Sequence, residues 1–356
     1  MRAKKSKAYG FFIITLFFAA VALSINTGNA QSAAENTWQT KSPLPKTEDG
    51  LAAATVNGKI YVMGGSLNYE YNPANDSWTS KTSMPTPRNW VSIAVYQNRI
   101  YTFGGTPRES ASNITEIYDP STDAWTKGNM LPFNVSGLTV NVVDGKVYFI
   151  GGNPDQPTAS TNMQYDIASG TWTNKTQMPT PVTAFQSVVL DGKIYVFGGY
   201  NPTPTNLTQI YDPVADSWSL GAQVPEPYPL STAAATTNAM APSRIYIFGG
   251  SLTLFDSTNL VQVYNPKNDS WTMGEPMLSN RCAGTVAVVS DQIYVIGGRS
   301  APAFTPPLTT NEVYTPFGYG NPEREVPPDT SNLPIIIAII VIFFIGVGAL
   351  IYLKKR

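Results

Sequence analysis

Charged residues make up only 13% of this chain, and four arginines stand out among them: Arg88, Arg108, Arg281 and Arg299. A guanidinium presents planar paired donors that match a carboxylate, so arginines gathered on one surface would suit an acidic peptide or sugar. Acids and amides expected on the same loop-bearing face are Glu48, Asn89, Glu109, Asn153, Asp155 and Asp256, with the aromatics Tyr200, Phe255 and Phe304. Two such acids facing one another could serve as the acid and base of glycoside chemistry. The chain has no histidine, which removes the usual base near neutral pH and the commonest metal ligand. A Ser-His-Asp triad and a zinc site fail on that ground, and no glycine-rich phosphate loop opens a helix. No cofactor is expected. A net charge of −1 offers nucleic acid no basic surface. The single cysteine, Cys282, can form no intrachain disulfide and sits in an apolar stretch.

The elements that carry these residues are set by a repeat. Gly-Gly doublets stand at 64–65, 104–105, 151–152, 198–199, 249–250 and 297–298, each preceded three residues earlier by a tyrosine (Tyr61, Tyr101, Tyr148, Tyr195, Tyr246, Tyr294). Downstream come Tyr71, Tyr118, Tyr165, Tyr211 and Tyr264, each followed after seven residues by a tryptophan: Trp78, Trp125, Trp172, Trp218 and Trp271. Self-similarity at a period of 40 to 51 residues is the signature of a repeat architecture. Each unit divides into four short strands, a to d. Ala52–Val56 reads as strand a, Asn57-Gly58 as a tight hairpin turn, Lys59–Met63 as strand b, and strand d carries the tryptophan. The last unit lacks a tryptophan after Tyr314, whereas Trp38 stands alone before the first doublet, so the N-terminal strand is expected to complete the last unit.

The doublets and the spaced Tyr and Trp, kept from residue 38 to about 316, resemble the Kelch repeat. That resemblance implies an all-β, six-bladed propeller with one four-stranded blade per repeat, closed by the N-terminal strand. The recurring Gly64, Gly65, Gly104, Gly105, Gly151, Gly152, Gly198, Gly199, Gly249, Gly250, Gly297 and Gly298, with the six strand-d tryptophans, are read as structural. The glycines are expected where neighbouring sheets crowd and φ turns positive, and the tryptophans between blades. In Kelch adaptor domains arginines near the start of strand a line the ligand face, and Arg88 and Arg281 look like their counterparts. A galactose-oxidase-like copper site is ruled out because it needs histidine.

The chain ends suggest a compartment. Arg2, Lys4, Lys5 and Lys7 precede an apolar run from Phe11 to Leu23, and Gly28-Asn29-Ala30 offers a cleavage site, so residues 1–30 read as a signal peptide. Leu333 to Leu353 is an uncharged stretch followed by Lys354-Lys355-Arg356. As a helix at about 1.5 Å per residue it would match a bilayer core of about 30 Å, with the basic tail inside. The expected order is a propeller over 31–318, a Pro-containing stalk over 319–332, a membrane span over 333–353 and a cytoplasmic tail over 354–356.

Function is expected where blades differ. The b–c loops and d–a connections share one face. From the second doublet glycine to the strand-c tyrosine the loops measure 6, 13, 13, 12, 14 and 16 residues, leaving a notch at the first blade. Glu48, Arg88, Asn89, Arg108, Glu109, Asn153, Asp155, Tyr200, Arg281 and Arg299 are the candidate binding residues on this face, for a protein or glycan ligand at a cell surface. The alternatives are a carbohydrate-active enzyme, sialate-epimerase-like or lyase-like, and a purely structural envelope protein.

Overall fold

The computed structural model describes residues 34–324 except 108–109, 152–159 and 304. The expected signal peptide, the membrane span and the tail lie outside the described residues, as do Arg108, Glu109, Gly152, Asn153, Asp155 and Phe304. Among the described residues no helix is long and apolar enough to cross a membrane.

Six antiparallel four-stranded sheets each run a-b-c-d in spatial order. Strands a of successive blades adjoin one another in a closed ring around the axis. The first blade comprises Ala52–Val56, Lys59–Gly64, Leu67–Asn72 and Ser77–Ser80. Only Gly65 and Ser66 separate its strands b and c, which gives the expected notch. The sixth blade comprises Thr285–Val289, Gln292–Ile296 and Asn311–Thr315, and its outer strand is Thr37–Thr40, with Trp38 opposite Tyr314. Closure by the N-terminal strand leaves no blade incomplete, and an open edge would otherwise invite pairing with another chain.

Strands b are buried on both faces, as in Ile60, Val62 and Met63, because each sheet is sandwiched between two neighbours. Most of the described doublet glycines meet the expected crowding. A Cβ on Gly104 would lie 2.4 Å from the Val135 carbonyl oxygen of the next blade, and one on Gly249 would lie 2.2 Å from that of Arg281. Both glycines also have φ near +60°, which L-residues with side chains adopt at a cost.

The tryptophans are half-buried rather than core residues, and they act through their ring N–H. Trp125 Nε1 donates to the Thr82 carbonyl of the preceding blade at 2.8 Å, while Asp123 accepts the Thr82 N–H at 2.9 Å. The Tyr118 hydroxyl donates to the same Asp123 oxygen at 2.6 Å. The same clasp recurs for Trp78 and Asp76 on Ser42, Trp218 and Asp216 on Thr176, and Trp271 and Asp269 on Ala222. At ring closure Trp38 and Asn36 clasp Glu275. In the third blade Gly170 stands at the aspartate position. The aspartates sit in the c–d turn with φ near +50°, a conformation that Asp and Asn tolerate better than most residues.

Both ends of the described chain leave on the face carrying the a–b and c–d turns. There Gly318 N–H and Arg324 bond to the Glu35 carboxylate at 2.7 and 2.6 Å, and Gly320 N–H donates to the Met240 carbonyl. The described part of the expected stalk, residues 319–324, is therefore held against the propeller.

Candidate functional site at the axial mouth

On the opposite face, two residues before each strand a, the six blades place Gly50, Trp90, Gly137, Ala184, Leu230 and Ala283 around the axis. All six have positive φ, between +50° and +66°. They are linked through the backbone: Trp90 N–H donates to the Gly50 carbonyl at 3.0 Å and Gly137 N–H to that of Trp90 at 3.3 Å. Leu230 N–H donates to Ala184 at 3.3 Å and Ala283 N–H to Leu230 at 2.7 Å. Glycine fills two of the six positions without strain. Tryptophan in this left-handed region costs about 1–2 kcal/mol, and such strain persists where surrounding structure imposes it.

Trp90 is nevertheless 41% exposed. Its indole lies over Gly50, where a Cβ would approach it to 2.6 Å. Around it is a shallow pocket of 180 Å³ whose walls include Leu51, Leu138, Phe185, Leu230, Gln186 and Ser231. The lining mixes apolar side chains with hydroxyl, amide and backbone polar groups, and among the described residues it carries no carboxylate. Trp90 was missed in the repeat register, although its signal was there: it is the one tryptophan of seven outside that register.

The expected site residues divide into rim and core. Arg88 is 1% exposed and Arg281 2%, which corrects their reading as ligand-facing groups. Arg88 meets Glu116 at 2.6 Å and donates to the Gly104 carbonyl at 2.8 Å and to Thr102 at 3.1 Å. Arg281 meets Glu312 at 2.6 Å and Ser279 at 2.8 Å. In the fourth and fifth blades Gln209 and Gln262 stand where Glu116 and Glu312 do, and they bond both ways to the backbone of Thr180 and Glu226. All four devices pin the d–a connection to its own blade, so the arginines are one of two solutions to a structural problem. Sequence placed them at the start of strand a, but strand a begins four residues later and the arginine side chain turns inward.

Four candidates remain at the rim. Arg299 bonds Asp49 through two nitrogens at 2.7 and 2.6 Å, and that carboxylate holds the guanidinium pKa above its ordinary value. Glu48 lies beside the notch with Lys46 at 3.5 Å. Asn89 exchanges backbone hydrogen bonds with Thr106, and exposed Tyr200 does so with Thr183. Cys282 pairs through its backbone with Arg299; burial pushes its thiol up to about 11, which makes it unreactive. The loop between strands b and c of the fifth blade adds Leu252, Leu254 and Phe255, all solvent-exposed, the last by 73%.

The description of the KLHDC2/KLHL20/DRC7 Kelch-repeats domain matches residues 31–199 and 137–315, which together span most of the chain. The chain belongs to the Kelch-repeat family. It is similar to mouse Kelch-like protein 35 (34% identical over 98 residues, 27% of this chain and 16% of that protein) and to human Kelch-like protein 23 (33% over 97 residues, 26% and 17%). The matched stretch is thus about a sixth of the length of these relatives. Among solved structures it is similar in fold to YjhT, with a TM-score of 0.66 at 18% identity, over 76% of this chain and 95% of that one. The Kelch propeller is a fold typical of protein-binding modules.

Proposed function

We propose that this Kelch protein is a recognition module rather than an enzyme, displayed at a cell surface, and that it binds a protein or glycan at the axial mouth. Trp90 carries the reading. It is a large aromatic held in a strained conformation at a position that four of the other five blades fill with glycine or alanine and one with leucine, and it is exposed on the face bearing the long loops. A packing role does not explain such a choice, because Gly50 and Gly137 fill the same place without strain.

A rigid aromatic beside a shallow pocket of mixed polarity is a typical anchor for a partner side chain or a sugar face. Tyr200, Leu252, Leu254 and Phe255 project on the same face and extend the apolar surface, which favours a protein partner over a lone sugar. Both described chain ends leave from the other face, so an anchor after residue 324 would leave the axial mouth pointing away from the membrane. The reading is tested by screening the full-length chain against glycan and peptide arrays beside Trp90→Gly. Signals that the folded variant retains in full would overturn it.

A further inference from the structure

The face opposite the axial mouth holds a second feature that repeat symmetry does not explain. Between the first and second blades lies a cleft of 690 Å³, lined by Lys59, Tyr61, Glu70, Lys81, Arg99 and Asp119 together with turn amides of both blades. The homologous cleft between the second and third blades holds only 200 Å³, with Tyr101, Ile117 and Gly128 in the places of Tyr61, Glu70 and Lys81. Small-molecule sites run from about 300 to 1,000 Å³, so only the first of these clefts has the size of one.

One strand position in particular sets the first cleft apart. The residue paired with the strand-b tyrosine is Glu70 in the first blade, and Ile117, Gln164, Ile210, Val263 and Val313 in the others. Inter-blade packing is satisfied by an apolar or neutral residue there, so packing does not call for a carboxylate. Glu70 takes Lys59 at 2.5 Å, the Tyr61 hydroxyl at 2.8 Å and Lys81 at 3.8 Å. Burial works against its charge, but the bonds from Lys59 and Tyr61 outweigh burial and hold its pKa below the ordinary range. Arg99 meets Asp119 of its own blade at 3.1 Å. Glu70 thus fixes two ammonium groups at the cleft wall while Lys59 and Arg99 stay half-exposed. In the lining Lys59, Lys81 and Arg99 face Glu70 and Asp119, and Asp123 stands 3.9 Å from Lys81. Asn57, Gln97 and Asn98 add paired donors and acceptors, and no exposed aromatic face is present.

We propose that this cleft binds a hydroxylated carboxylate of monosaccharide size, such as a uronic acid, with its carboxylate on Lys59, Lys81 and Arg99 and its hydroxyls on the turn amides. The repeats themselves supply variants that fold. Gly128, Gly221 and Gly274 occupy the Lys81 position in other blades, and Gln292 occupies that of Arg99. Equilibrium dialysis of the full-length chain in detergent against labelled glucuronate, with acetate and glucose as competitors, tests the assignment. Saturable binding is expected, displaced weakly by acetate and by glucose. Lys81→Gly and Arg99→Gln should each weaken it by about tenfold or more, as the loss of a charged hydrogen bond implies, at unchanged melting temperature. No saturable binding by folded protein, equal competition by acetate, or binding lost in Trp90→Gly but kept in both cleft variants would overturn it.

Discussion

The indole of Trp90 occupies the space that a side chain on Gly50 would need: a Cβ there would stand 2.6 Å from the ring and 2.7 Å from the Trp90 backbone nitrogen. The two residues hold the same position in adjacent blades and are joined by the Trp90 N–H to Gly50 carbonyl bond at 3.0 Å. One blade gives up its side chain so that the next can present a large one. Gly50→Ala should therefore lower stability by about 1–3 kcal/mol, through overpacking and a φ of +58° that alanine adopts with strain. Trp90→Gly should leave the urea midpoint unchanged or higher. Equilibrium denaturation of both variants checks the pair.

Arg88 and Arg299 should separate cleanly. Removing Arg88 leaves Glu116 charged and buried, which costs about 3–5 kcal/mol. Arg299 and Asp49 are partly exposed and screened by solvent, so Arg299→Ala should cost about 1 kcal/mol or less. Arg88→Met combined with Glu116→Leu should recover most of the loss. Urea titrations decide, and a small effect of Arg88→Ala alone would contradict its structural role.

The clasps predict an acid dependence. Hydrogen bonds from Tyr71 and Tyr211 hold the pKa of Asp76 and Asp216 below the ordinary aspartate value of 3.8. A depressed folded-state pKa means the unfolded chain binds the proton more readily. The stabilisation is therefore complete above pH 4 or so, where unfolded aspartate is ionised, and fades as pH falls through the lower folded values. Asp216→Asn keeps an acceptor, as Asn36 does at ring closure, and should flatten part of the loss of melting temperature between about pH 4 and 2. An unaltered pH profile in that variant would place the acid sensitivity elsewhere.

Cys282 is 1% exposed with its thiol pushed up to about 11. It should resist thiol reagents at neutral pH in the native state and react at once in denaturant. Labelling followed by mass spectrometry gives the answer.

The repeat was legible because each blade buries the same face in the same way: Tyr, Trp and the doublets recur, and Trp38 alone foretold how the ring closes. The clasping aspartates stand five residues after four of the six strand-c tyrosines and could have been read from the same alignment of repeats. The site was less legible. Arg88 and Arg281 break the repeat as a ligand-binding residue would, but a residue that varies between blades can also be one of several answers to a packing need, and Gln209 and Gln262 show the other answer. Trp90 could be seen in the sequence, yet its meaning depends on the positive φ shared by six residues, which spacing does not reveal. The Glu70 cleft needed cross-strand register before its departure from five neighbours could be seen.

The central claim is that Trp90 is kept for a ligand at the price of strain. The most direct measurement titrates the best array ligand against wild-type and Trp90→Gly full-length chain, with melting temperatures recorded on the same samples. The account predicts binding weakened by about thirtyfold or more, the loss of an aromatic anchor worth about 2 kcal/mol, in a variant that melts no lower than wild type. Undiminished binding, or a large fall in stability, would contradict it.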